Sequence, residues 1–295
     1  MPELPEVETV RRGLERLTRH HPIWGGDVLL PRAIARPGSY EEFLDGLTGS
    51  AIADWHRRGK YLLARLYRPD ASAPAARHPD TGSAAGWLGV HLRMSGQLLW
   101  LARSEPLCKH VRVRLFFPDA RELRFVDART FGRMWWVPSG VPVEAVITGL
   151  QRLGPEPFAD EFSPEYLLAA SRGRERSIKA ALLDQSLLAG IGNIYADEAL
   201  FQSRIHPATR SRDLTGADTE RLHAAILSVL ETAIARGGTT FNTFSNLLGV
   251  NGNYKHEAWT YGREDEPCRV CATTIVRIKL AGRSAHFCPK CQPAR

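Results

Sequence analysis

Cys268 and Cys271 are separated by two residues, Cys288 and Cys291 likewise, and sixteen residues lie between the pairs. Thiolates at this spacing sit on two tight knuckles and close around one tetrahedral ion. Two redox pairs or free thiols are the alternative reading, and the paired spacing favours zinc. Four protein ligands leave no open position, so one structural Zn2+ per chain is expected, with no catalytic metal or organic cofactor. Residues 273–279 and 284–287 are β-rich and suited to a hairpin joining the knuckles. Cys108 stands far away in sequence, and burial as a small apolar side chain is expected of it. A second reactive group stands at the other end of the chain. Removal of Met1 exposes Pro2 as a secondary amine with a reference pKa of ~8, against ~10.4 for lysine. Such an amine attacks an aldehyde carbon and forms a charged iminium, an electron sink. Glu3 and Glu6 flank it as proton donors or positioning groups. From composition alone, a helix start with proline and glutamate in its first turn accounts for the same residues.

The chain has 295 residues, 39 Lys+Arg against 32 Asp+Glu, a net charge of +7 and a pI near 9.4. That surplus suits a polyanionic partner, most simply nucleic acid. No apolar run approaches the ~20 residues of a membrane span. The N-terminus is acidic with no apolar stretch behind it, so a secretory signal is not expected. Five cysteines, four of them clustered, disfavour a secreted disulfide framework, and a cytoplasmic location is expected.

Elements that would carry these groups are legible in outline. Residues 7–18 have the 3–4 spacing of an amphipathic helix. Short apolar or alternating runs at 61–67, 87–92, 97–101, 111–117, 123–126 and 134–137 fit strands of a sandwich or barrel. Residues 68–86 are rich in Ala, Pro, Asp, Gly and Ser and read as a surface loop. A linker is expected at 138–142, with helical patterning from about residue 144. Beyond it, 164–170, 178–184, 193–203 and 217–236 have helical spacing, and Gly237-Gly238 stops the last. Residues 239–261 read as a long loop of the functional kind. The expected division is 1–138, a hinge at 139–150, a helical part at 151–258 and the cysteine module at 259–295.

Several motifs carry a likeness that spacing alone does not give. They are Met1-Pro2-Glu3-Leu4-Pro5-Glu6, Arg57-Arg58-Gly59-Lys60-Tyr61, His91-Leu92-Arg93-Met94-Ser95-Gly96 and Asp127-Ala128-Arg129-Thr130-Phe131-Gly132. In the second half, Gly190-Ile191-Gly192-Asn193-Ile194-Tyr195 and Gly282-Arg283-Ser284 follow in order. Collinear over nearly the whole chain, they resemble the formamidopyrimidine-DNA glycosylase family, bacterial base-excision-repair enzymes that remove 8-oxoguanine and ring-opened purines. The resemblance implies an α+β fold in two domains. The first is a catalytic β-sandwich with an N-terminal helix. The second is a helical helix–two-turns–helix domain with a lesion-capping loop and a zinc-ribbon β-hairpin.

The resemblance further implies a bifunctional glycosylase and AP lyase. Pro2 forms a Schiff base at the sugar C1′, Glu3 supplies a proton and Glu6 assists. Lys60 acts in β-elimination and Arg283 in δ-elimination, where a guanidinium of pKa above ~12 is a poor acid and a better phosphate clamp. Met94, Arg129 and Phe131 fill the gap left by the extruded nucleotide. His91, His110, Arg174, Lys179 and Asn193 join Lys60, Arg129 and Arg283 as DNA contacts. Ser95, Ile191, Thr240 and Tyr254 are candidates for the base pocket. The implied partner is damaged double-stranded DNA, bound by a monomer with no membrane or obligate protein partner. Two departures bear on binding. Thr130 replaces a second basic residue common in the family, and Cys108 stands where a histidine is usual. The alternatives are an endonuclease VIII-type enzyme for oxidised pyrimidines, against which Leu4 argues, and a non-catalytic zinc-ribbon DNA-binding protein.

Overall fold

A computed structural model describes residues 1–70, 82–239 and 254–294. The chain divides into two compact units, one formed by Met1–Gln151 and Thr239–Gly252, the other by Arg152–Gly238 and Asn253–Arg295.

The first unit opens with α1 (Leu4–Thr18), which buries Val7, Val10 and Leu14 on one face. It starts a turn earlier than its apolar spacing indicates. Pro5 is tolerated there because the first-turn N–H has no intrahelical partner. Glu3 caps the helix, and Glu6 Oε2 accepts the Glu3 N–H at 2.8 Å, closing a capping box.

Two sheets follow. One has the order β1 (Gly25–Val28), β7 (Val111–Phe117), β8 (Arg121–Asp127), β6 (Gly96–Ala102), all antiparallel. The other runs β2 (Ile34–Arg36), β9 (Arg133–Val137), β5 (Ser83–His91), β4 (Tyr61–Arg68), β3 (Ala51–Arg58), with only the β2–β9 pair parallel. Strand β7 alternates buried and half-buried residues along its length, the signature of one face on a core. A single apolar cluster joins Val7, Val10 and Leu14 to Leu62, Leu88 and Val90 of one sheet and Val113, Leu115 and Phe125 of the other. The sandwich expectation therefore stands.

Strands β1 to β3 and helix α2 (Tyr40–Leu47) escape the apolar-run reading. Strand β1 reads Gly-Gly-Asp-Val and β3 carries Asp54, His56, Arg57 and Arg58, so neither shows an apolar run. Helix α2 is set by its cap, Ser39, whose hydroxyl accepts the Glu42 N–H. Residues 83–86, expected within the 68–86 loop, continue β5 instead, and 71–81 lie outside the described residues. The expected hinge carries a helical turn, α3 (Val143–Val146), and a 3-10 turn at Thr148–Arg152, with Ile147 and Leu150 buried. Cys108 corrects an expectation: it is exposed rather than buried. The segment carrying it is moored by polar groups, since Arg124 donates to the carbonyls of Pro106 and Glu105.

The second unit is helical: α4 (Pro164–Ser171), α5 (Ile178–Leu182), α6 (Asn193–Gln202) and α7 (Gly216–Ala235). Helix α6 is buried continuously from Ile194 to Phe201, two carboxylates included. Helix α7 begins at a Thr215/Asp218 capping box. It ends at Gly237, φ +76°, with the Gly238 N–H returning to Ala233 O. The hairpin of β10 (Val276–Leu280) and β11 (Arg283–Phe287) closes through Ala281 and Gly282, both at positive φ, and sets exposed Arg283 at the head of β11.

Glu122 is fully buried on β8, ion-paired to Arg114 at 2.7 Å and to Arg124, itself 2% exposed. Glu122→Gln strands the Arg124 charge in the interior. It should destabilise the first unit by about 3–5 kcal/mol, read as a lowered denaturant midpoint.

Candidate active site and nucleic-acid interface

In the first unit, Pro2, Glu3 and Glu6 are all buried, with the two carboxylates 3% and 2% exposed. Glu6 spends one oxygen on the Glu3 N–H and the other on the Thr239 N–H, at 2.7 Å. Both oxygens hold backbone, which suits a positioning role. Lys60 occupies the two-residue loop of the β3–β4 hairpin behind Gly59, whose φ of +54° a side chain would oppose. Its side chain is largely buried.

His91 closes β5 and is buried edge-on against Tyr61, ring centroids 4.5 Å apart. Its Nδ1 accepts the Arg93 N–H at 3.0 Å, so the neutral ring carries its proton on Nε2. Burial, then the charges of Arg93 and Lys60, push the imidazole down to about 3.

Met94, Arg129 and Phe131 come from two different turns, and Asp127 brings the turns together. Asp127 Oδ1 accepts the Ser95 hydroxyl and the Arg129 N–H, the latter at 3.2 Å, and Oδ2 accepts the Gly132 N–H at 2.7 Å. Ser95, a candidate for the base pocket, is thus committed to this knot. It also receives the Arg129 N–H at 3.1 Å. The knot leaves Phe131 49% exposed with the Arg129 guanidinium 5.0 Å over its ring. Met94 is half-buried on the opposite turn. His110 is half-buried, and its Nδ1 lies 3.3 Å from an Arg112 nitrogen.

In the second unit, Gly190, φ +91°, and Gly192 lead the backbone into α6 at Asn193. Amides at such a start favour an anion. Asn193 Nδ2 donates to Ser284 Oγ at 3.3 Å, next to Arg283. Arg174 is exposed. Lys179 departs from its expected role as a phosphate contact. Its side chain is 1% exposed and ion-paired to Asp197 at 2.5 Å, and it donates to Ser284 O. A charge so neutralised and so far from water holds structure rather than a phosphate. The other Asp197 oxygen accepts the His286 N–H at 3.0 Å and faces His286 Nδ1 at 3.1 Å. Of the remaining pocket candidates, Ile191 is buried, Tyr254 is buried edge-on against Tyr195, and Thr240 lies outside the described residues.

The four cysteine sulfurs lie within 4.8 Å of one another. Zn–S bonds of ~2.3 Å in a tetrahedron require S···S separations of about 3.8 Å. Cys271–Cys288, Cys271–Cys291 and Cys268–Cys291 stand at 3.5, 3.5 and 3.9 Å. The Val270 and Cys291 N–H groups each point to a sulfur at 3.4 Å, as knuckles around a thiolate do. The donor set fits one structural zinc ion. Gln292 anchors the module by accepting the Cys288 N–H and donating to Ile205 O. Glu198 accepts the N–H groups of Trp259, Thr260 and Tyr261.

Sequence reasoning missed Asp127, Asp197, Glu198, His286 and Gln292. A signal existed for one pair: Asp197-Glu198 interrupts an otherwise apolar helix, and charges there must be met by donors.

Two outcomes follow. Cys288→Ser should release zinc, measured with a metallochromic chelator, and retained stoichiometry would contradict the four-thiolate site. His91 stays neutral in the folded chain down to about 3 and protonates near 6.5 when unfolded. Unfolding therefore takes up a proton in that window, and stability falls as pH drops from 6.5 toward 3. The fall should be shallower in His91→Gln, by denaturation at stepped pH.

Comparison with known proteins agrees with this geometry. Residues 1–134 match the formamidopyrimidine-DNA glycosylase N-terminal domain, 153–245 its H2TH domain, and 265–294 a zinc finger found in FPG and IleRS. The chain is 60% identical to a formamidopyrimidine-DNA glycosylase of Nostoc punctiforme, covering all of this chain and 97% of that one. Two solved structures of Lactococcus lactis Fpg, the first of a point mutant, superpose with TM-score 0.86 at 34% identity. They cover 99% of this chain and 100% of the other, one bound to Fapy-dG DNA and one to abasic-site DNA. From residue 1 to the last cysteine knuckle, the chain belongs to the formamidopyrimidine-DNA glycosylase family.

Proposed function

We propose that this protein is a bifunctional DNA-repair glycosylase and AP lyase that excises oxidised purines from duplex DNA. The observation that carries the reading is the conjunction, in a chain matching the family throughout, of Pro2 with buried Glu3 and Glu6 directly behind it. Functionally, residues 1–138 are the catalytic domain and 139–150 a hinge. Residues 151–258 bind DNA and cap the lesion, and 259–295 are the zinc finger. No helix among the described residues is long and apolar enough to cross a membrane, and a cytoplasmic, chromosome-associated location belongs to this reading.

With Met1 attached, the Pro2 nitrogen is a tertiary amide and unreactive; once Met1 is removed it is a secondary amine. Extrusion of the damaged nucleotide costs a few kcal/mol. Phe131 as wedge, Arg129 toward the orphaned base and Met94 as adaptable filler offset it. The Pro2 nitrogen bonds to C1′ as the bond from C1′ to the base breaks, and the base departs with a proton. Glu3 protonates the ring oxygen, which opens the sugar and leaves an iminium between C1′ and Pro2. Loss of a C2′ proton then expels the 3′ phosphate, and loss of a C4′ proton expels the 5′ phosphate. Lys60 serves the first elimination. Arg283 clamps phosphate in the second with its guanidinium fork, and water frees the amine. Arg174 and Asn193 hold further phosphates, and zinc keeps the Arg283 hairpin folded.

Borohydride reduction traps the iminium. With duplex carrying 8-oxoguanine opposite cytosine, a covalent adduct and nicked product are expected. Both should fall sharply in Pro2→Gly, whose α-amine is primary and lacks the ring, and by roughly 10²–10⁴ in Glu3→Gln. Faster turnover of thymine glycol would assign the enzyme to oxidised pyrimidines. Binding without trapping, or Met1 retained on every active molecule, would sink the covalent mechanism.

A further inference from the structure

Arg32 is exposed on a 3-10 turn at Pro31–Ala33, 98 residues before Thr130, yet its guanidinium donates to the Thr130 hydroxyl. Thr130 sits between Arg129 and Phe131 with φ +59°. Two other arginines grip the same loop. Arg133 Nη1 donates to the carbonyls of Thr130 and Gly132, at 3.1 and 2.8 Å, and Arg112 Nε to that of Asp127 at 2.8 Å. With Arg129 itself, four guanidinium groups border the six residues Asp127 to Gly132.

Among the described residues none of the four is ion-paired to a carboxylate. Elsewhere in this unit Arg11, Arg12, Arg57, Arg65, Arg114 and Arg124 are, whereas Arg16, Arg36, Arg93 and Arg103 are also without one; what sets this loop apart is that four such arginines converge on it. The loop's own carboxylate, Asp127, is 1% exposed and turned inward onto Ser95, Arg129 and Gly132. Four guanidinium groups on one short loop, none ion-paired among the described residues, give it a positive potential that a polyanion would meet favourably. Arg32 has one donor engaged by Thr130 and no other partner among the described residues, so its remaining donors are free for an outside acceptor. The Thr130 contact also restricts a long side chain before any ligand arrives, which lowers the entropy lost on binding.

We propose that Arg32 is a DNA-phosphate-binding residue, held by Thr130 beside Arg129 so that a guanidinium meets the duplex backbone where Phe131 enters it. The proposal rests on reading the 129–131 loop as the element that inserts into DNA.

The test is fluorescence anisotropy with a duplex bearing a tetrahydrofuran abasic analogue, titrated across a salt series. Arg32→Ala should weaken binding roughly tenfold. It should also flatten the slope of log affinity against log salt by about one. Arg32→Ala/Thr130→Arg should recover both, because it restores a guanidinium at the same spot from the neighbouring backbone. Arg65→Ala, exposed but paired to Asp54, is the control and should leave the slope unchanged. A wild-type slope in Arg32→Ala, with a reduced one in Arg129→Ala, overturns the proposal. A wild-type slope in both overturns the reading of the loop itself. Loss in the single variant without recovery in the double variant removes Thr130 as the docking point, and the proposal fails in that form.

Discussion

A carboxylate withdrawn from water must be surrounded by donors, and in this chain that requirement is what shapes the functional loops. Glu6, Asp127, Asp197 and Glu198 are each at most 2% exposed. The cost of burying any of them unmet far exceeds the net gain of a single hydrogen bond. Each therefore draws donors from segments that no apolar contact would bring together. Glu6 joins the helix start to Thr239, Asp127 joins two turns of the sandwich, and the adjacent carboxylates of α6 hold the cysteine hairpin and the chain leading into it. For Glu198, burial pushes the carboxyl up while three backbone N–H groups and the Thr260 hydroxyl hold it down. That opposition is the signature of a group kept for its geometry.

Charge is sorted by depth. Inside the sandwich, Glu122 is matched by Arg114 and Arg124, and inside the helical unit Asp197 is matched by Lys179. At the 127–132 loop the arginine side chains form no ion pair among the described residues and remain at or near the surface. The net charge of +7 is thus a poor guide by itself. What matters for a polyanionic partner is which cations are left uncompensated, and Lys179, although basic, is not one of them.

The zinc module follows the same logic on a smaller scale. Its hairpin has little apolar core of its own: Ile275, Phe201, Cys268 and Cys288 form the buried cluster beneath it. Thiolate ligation supplies the missing stability. Gln292 and Asp197 supply orientation, and Arg283 stands at the tip only because Ala281 and Gly282 accept positive φ. Ligation, anchoring and turn geometry are separate contributions, and each involves different residues.

Most of the long elements were visible in the residues, because an apolar stripe at period 3.6 or 2 is a local signal and the buried face needs nothing else to announce it. Strand β7 and helices α4 to α7 were readable for that reason, and so were the four metal ligands, whose spacing is itself the geometry. The sandwich, the zinc site and the family all follow from the chain of letters. Strand β3, with its run of charged residues, and helix α2, set by a cap rather than a stripe, were not readable. Exposed Cys108 and buried Lys179 were misjudged because their depth depends on partners distant in sequence. Which turn meets which, and which charge finds a counter-charge, was decided only by the folded chain. Hydrogen bonds such as those of Asp127 and Arg32 join residues tens of positions apart, and no periodicity along one strand or helix encodes them.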